Sequence, residues 1–163
     1  MPGMYSYGMK VIRDEAVVRD CIQDLFITLW KGRQNLGEVQ SIKYYLNSSL
    51  RRELVRRIRR THPFSQDLPE SYDFQVTLDA ESMLVLEEMS QQQIRQLNEA
   101  LGKLPARQKE ALYLRYYENF SYDEIAEMMD ISPGVAYNFV YRALLALKKY
   151  LLASGLLVLL LAL

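Results

Sequence analysis

Apolar residues recur with a helical period in successive stretches of the chain, and polar punctuation separates them. Ile22, Leu25, Phe26, Leu29 and Trp30 make the apolar face of a helix running from Asp14 or Glu15 to Trp30, and Gly32 to Gly37 breaks the pattern. Ile42, Tyr45, Leu46, Ser49, Leu50, Leu54 and Ile58 predict one long helix that ends at His62-Pro63, with Tyr45 rather than Tyr44 in the apolar stripe. Met83, Leu84, Leu86, Met89, Ile94, Leu97 and Leu101 predict a third, closed by Gly102 and Pro105. From Pro105 a fourth carries Ala111, Leu112, Leu114 and Tyr116.

Two more helix starts follow at close range. Ser121-Tyr122-Asp123-Glu124 is a capping box: the serine hydroxyl accepts from the Glu124 amide while the Glu124 carboxylate reaches back to the Ser121 amide. Ser132-Pro133 is a serine N-cap followed by proline at the first helical position, where a missing N–H costs nothing. Ile125, Ala126 and Met129 point inward, Asp130-Ile131 makes the turn, and Ala136, Val140, Ala143, Leu144 and Leu147 form the inner face of the last helix. Two helices joined so tightly cross steeply, as in a helix-turn-helix over residues 121–149. Capped pairs of this kind also occur in plain helical bundles. The outer face decides for a DNA reader: Ser132, Gly134, Tyr137, Asn138, Tyr141 and Arg142 are left to enter a major groove, with Asn138 on an adenine edge and Arg142 or Lys148 on phosphate.

The fold class that follows is all-α. Two small helical domains, 1–62 and 83–150, are joined by a flexible acidic linker over 63–82, and an apolar tail occupies 151–163. The tail is shorter than the ~20 residues that span a bilayer, so packing of an extended helix is expected ahead of membrane attachment. No apolar run behind basic residues marks a secretory signal, and a cytoplasmic protein is expected.

Charge sharpens this picture. The formal charge is zero, yet residues 1–62 hold twelve Lys/Arg against six Asp/Glu, while 63–102 hold one Arg against eight acids. The basic excess lies in Arg51-Arg52, Arg56-Arg57 and Arg59-Arg60 at the end of the long helix, where cations suit both the helix dipole and phosphate. Tyr44 and Asn47 lie upstream on the same helix, and aromatic rings beside a basic surface are what unpaired bases stack on. A solvated helix end is the plainer alternative. Cys21 is the sole cysteine and His62 the sole histidine, which leaves no disulfide and no zinc set. No cofactor is expected. Asp20 and Asp24 lack a histidine, nucleophile or metal beside them, so no catalytic residue is assigned and no enzyme is expected.

Asp20, Gln23, Asp24, Phe26 and Trp30 stand in the spacing D-x-x-Q-D-x-F-x-x-x-W, which resembles the core-binding helix of extracytoplasmic-function RNA polymerase sigma factors of the sigma-70 family. Tyr44 to Asn47 with the arginine clusters is similar to that family's −10 helix, and Leu104 to Ala111, Leu114 to Tyr116 and Ser121 to Arg142 resemble its −35 domain. The resemblance implies that Asp20, Gln23 and Asp24 dock on the β′ coiled coil of core polymerase, and that Tyr44, Asn47, Arg51, Arg52 and Arg56 hold the −10 element. It implies that Ser132, Gly134, Tyr137, Asn138, Tyr141 and Arg142 meet the −35 duplex, and that the β flap, promoter DNA and an anti-sigma protein are partners. A helix-turn-helix regulator acting without polymerase, and a sigma-like decoy for an anti-sigma protein, are the alternatives. The chain departs from the family in a first helix that reads as shortened, in the aromatic Tyr137-Asn138-Phe139, and in the apolar tail.

Overall fold

The computed structural model describes residues 2–35, 37, 40–61, 72–76 and 91–153, and among these all regular structure is helical. The helices are α1 (Pro2–Val11), α2 (Glu15–Lys31), α3 (Ile42–Thr61), α4 (Gln91–Gly102), α5 (Ala106–Tyr116), α6 (Tyr122–Met129) and α7 (Pro133–Ala153), with a 3-10 turn at Arg33–Asn35. They form two compact units, Met1–Phe74 and Gln75–Leu163.

In the first unit α1, α2 and α3 all pack on one another. Asp14 caps α2, its carboxylate accepting from the Val17 amide at 3.1 Å, and Ser41 caps α3 by accepting from the Tyr44 amide at 3.2 Å. Met4, Tyr7 and Val11 from α1 meet Val18 and Cys21 from α2 and Leu50, Leu54 and Ile58 from α3 in the core. The approach of α1 to α2 needs a glycine: a Cβ at Gly8 would sit 2.7 Å from Val18 Cγ1. The helix α1 was not legible as a periodic stretch, because Gly3, Ser6 and Gly8 dilute its apolar residues. Burial pushes the Cys21 thiol above its ordinary value, so it behaves as a small apolar side chain.

Two expectations for this unit are corrected. Trp30 and Ile42 leave the apolar stripes assigned to them, and Trp30 is 70% exposed with the Arg33 guanidinium 4.7 Å over its ring. The acidic stretch 63–82 is not a tether throughout. Tyr72 and Phe74 are buried in the first unit, Phe74 fully and 6.1 Å from the Tyr7 ring, and Asp73 lies 3.9 Å from Arg13. Apolar residues two apart, with Asp73 exposed between them, form a short stretch outside regular structure that periodicity over a helical window does not register.

In the second unit α7 is the spine, touching α4, α5 and α6. Ala100, Leu101 and Leu104 pack with Ala143 and Leu147, and Val76, Leu97, Leu112 and Ala146 close around them. Tyr113 rather than Tyr116 is the buried tyrosine of α5. Its hydroxyl donates to Glu118 Oε1 at 3.0 Å, and burial with the Glu118 charge pushes that phenol far above its ordinary value. The assigned apolar stretch 83–90 and the tail beyond Ala153 lie outside the described residues. Among those described, no helix is long and apolar enough to cross a membrane.

Candidate functional site

In the helix-turn-helix the capping box is formed in full: Glu124 N donates to Ser121 Oγ at 3.2 Å and Ser121 N to the Glu124 carboxylate at 2.8 Å. Asp130 then adopts a left-handed φ of 56°, its amide returns to the Ala126 and Glu127 carbonyls, and Ile131 N donates to Ala126 O at 3.0 Å. That single left-handed residue turns the chain from α6 into α7. Ser132 caps α7, its hydroxyl facing the Val135 amide at 3.4 Å. Ala126 and Ala136 are both buried, which allows the close crossing of the two helices.

On the outside of α7, Gly134, Tyr137, Asn138, Tyr141 and Arg142 are all exposed and share one face, and Ser132 is exposed at its start. Nothing lies within 4 Å of a Cβ placed at Gly134, so the first turn is open to a close approach. The aromatic set is sorted differently from the order in the sequence. Phe139 turns inward under the Arg107 guanidinium, 5.6 Å from its ring centroid, while Arg107 also donates to the Met129 carbonyl at 3.2 Å. Tyr137 and Tyr141 carry the exposed aromatic area, stacked at 6.2 Å with planes 8° apart.

In the first unit Asp20, Gln23 and Asp24 are exposed on α2. The two carboxylates are engaged from α3: Arg57 donates to Asp24 Oδ2 at 3.1 Å and lies 4.0 Å from Asp20 Oδ2. Arg57 also lies 3.6 Å from Glu53, whose carboxylate accepts from Arg56 as well. The Arg56 hydrogen bond holds the Glu53 carboxyl below its ordinary value. Sequence reasoning counted Arg57 only in the basic cluster that draws phosphate, not as a partner of α2. Its i,i+4 relation to Glu53 was available, but the contact across helices to Asp24 was not.

The expected −10 surface is redistributed. Asn47 and Arg51 are buried rather than presented, Tyr44 is half-buried with its phenol oxygen inside, and only Arg52 and Arg56 of the five residues are exposed. Arg52 donates to Ser48 Oγ at 3.2 Å, and Arg56 to Glu53. The cause is the helical period: Asn47, Leu50, Arg51, Leu54 and Ile58 share the face that α1 and α2 cover. The exposed cationic set is Arg52, Arg56, Arg59 and Arg60. Among the described residues no three His, Cys, Asp or Glu side chains group to hold a metal.

Residues 1–63 match the family model Sigma-70 region 2, and residues 94–147 match Sigma-70, region 4. The chain is 28% identical over 130 residues to the ECF RNA polymerase sigma factor SigK of Mycobacterium sp. (strain KMS), covering 76% of this chain and 65% of the relative's length. It is 20% identical over 150 residues to the ECF RNA polymerase sigma factor SigX of Bacillus subtilis (strain 168), covering 91% and 77% of the two chains. Among solved structures, the sigma factor RpoE of Bartonella quintana, in complex with the anti-sigma factor NepR, shares the fold with a TM-score of 0.62 at 21% identity, covering 92% of this chain and 90% of that one.

Proposed function

Because the chain belongs to the extracytoplasmic-function branch of the sigma-70 family, we propose that it directs core RNA polymerase to promoters. The observation that carries this is the presence, in one chain and in the family's order, of an exposed acidic patch on α2 and an exposed reading face on α7. The α2 patch of Asp20, Gln23 and Asp24 docks on a basic and amide-rich surface of polymerase, the β′ coiled coil. The second unit grips the −35 duplex through α7 and meets the β flap. Arg52, Arg56, Arg59 and Arg60 draw the phosphates of the −10 region, and their contribution falls with salt through counterion release. Tyr44, half-buried upstream on the same helix, offers its ring for stacking, while Asn47 and Arg51 lie buried on the inner face. The chain makes and breaks no bond of its own. An anti-sigma protein that covers these surfaces is the expected inhibitor, as the complex of the Bartonella quintana neighbour with NepR suggests.

The test is transcription reconstituted from the purified chain, core polymerase and genomic fragments. Initiation at defined start sites that depends on the chain supports the reading. Selective binding of the chain to duplex DNA, with no effect on polymerase, supports a free-standing helix-turn-helix regulator instead.

A further inference from the structure

Tyr137 and Tyr141 are 52% and 49% exposed on the reading face of α7, an unusual cost in apolar area left to water unless a partner covers it. They are not loose. Their rings stack one helical turn apart, Tyr122 from α6 meets the Tyr137 ring edge-on at 5.3 Å and 65°, and the Arg115 guanidinium lies 4.8 Å over the Tyr122 ring. Arg115 is itself fixed by donating to the Phe120 carbonyl at 2.9 Å. The pair is therefore a pre-set aromatic wall, supported by Tyr122 and Arg115 as positioning residues.

The floor of a major groove offers such a wall one apolar feature, the 5-methyl group of thymine. Beside the rings on the same exposed face stands Asn138, whose amide matches the N6 and N7 edge of adenine. We infer that Tyr137 and Tyr141 are specificity-determining residues that read thymine through its methyl group, with Asn138 taking a neighbouring adenine, so that the base pairs facing them are A·T pairs. This rests on the proposed −35 contact of the second unit.

Holoenzyme assembled from the full chain and core polymerase selects duplexes from a random pool, and each thymine of the enriched −35 element is then replaced singly by uracil. The exchange deletes the methyl and keeps every hydrogen-bonding group. Affinity is expected to fall about fourfold at one or two thymines, the worth of one buried methyl. The double variant Tyr137→Phe, Tyr141→Phe keeps this discrimination, because it keeps the ring faces. The double variant Tyr137→Ala, Tyr141→Ala binds the two bases alike while holding core polymerase as well as the wild type, and a far-UV circular dichroism melt like that of the wild type verifies its folding. Uracil bound as tightly as thymine by the wild type at every position, or discrimination that survives the alanine variant, overturns the inference. Selection that enriches no −35 element overturns the reading beneath it and is recognised by that absence.

Discussion

Charge reversal at Asp24 separates the proposed polymerase contact from the stability of the unit that carries it. The Asp24 side chain is 62% exposed and Arg57 29%, and they meet at 3.1 Å. A pair so exposed contributes about 0.2–1 kcal/mol. Arginine at position 24 also faces Arg57, which adds about 1 kcal/mol at 4 Å in water, less whatever the long side chain sheds by turning outward. Asp24→Arg is thus expected to cost the unit no more than about 2 kcal/mol, with a Tm lower by several degrees. A desolvated interfacial charge pair costs about 2–5 kcal/mol when one partner is removed, which weakens binding to core polymerase roughly 30- to 4000-fold. The control runs in the opposite direction. Arg57→Ala frees both carboxylates from the intramolecular cation that polymerase must displace, so binding to core polymerase tightens by up to about fivefold. The assay is titration of labelled chain with core polymerase in the absence of DNA, beside a far-UV circular dichroism melt. Asp24→Arg binding within about threefold of wild type would refute the reasoning, as would weaker binding by Arg57→Ala with an intact melt.

Phe74→Ala removes a fully buried ring from the first unit and should cost about 3–5 kcal/mol, seen as a large fall in the melting temperature of that unit; an unchanged melt would return residues 72–74 to the status of a tether. Ser121→Ala removes half of the capping box and should lower the stability of the second unit by about 1 kcal/mol, measured by urea denaturation, with Ser121→Asp retaining most of it. Glu53, held below its ordinary 4.5 by Arg56, contributes stability that is complete above that value and is lost as pH falls through the lower value of the folded state. Glu53→Gln should therefore flatten the acid limb of the melting temperature against pH below 4.5, and an unaltered limb would remove Glu53 from the account.

Much of the helix-turn-helix was legible before any coordinates. Caps are local chemistry: Ser121 and Glu124 lie three residues apart, and the bonds they form need no information from elsewhere in the chain. The buried faces of α6 and α7 followed from period in the same way, and the exposed residues of α7 are what that face leaves over. The long helix α3 was legible as a helix with Leu50, Leu54 and Ile58 on its inner face, but not in the polar residues that share that face. Asn47 and Arg51 are polar by composition and buried by position, and no rule of period tells a polar residue on the inner face from one that ought to be outside.

The sequence by itself determined that the chain is helical, where its punctuated helices begin, and which type of residue each exposed face carries, because capping bonds and helical period act within a few residues. It also carried the spacing of Asp20, Gln23 and Asp24, whose exposure needs only the period of α2. Tertiary structure decided what those residues are doing before any partner arrives. It set Arg57 against Asp24 and sent Phe139 inward while Tyr141 joined Tyr137. It also buried Tyr72 and Phe74 in what composition marks as linker. Except for the Tyr137–Tyr141 stack, which lies within α7, each of these is a contact across helices or beyond a helix end. Its energy depends on which faces the core covers, and that is settled only when apolar area from distant segments is removed from water together.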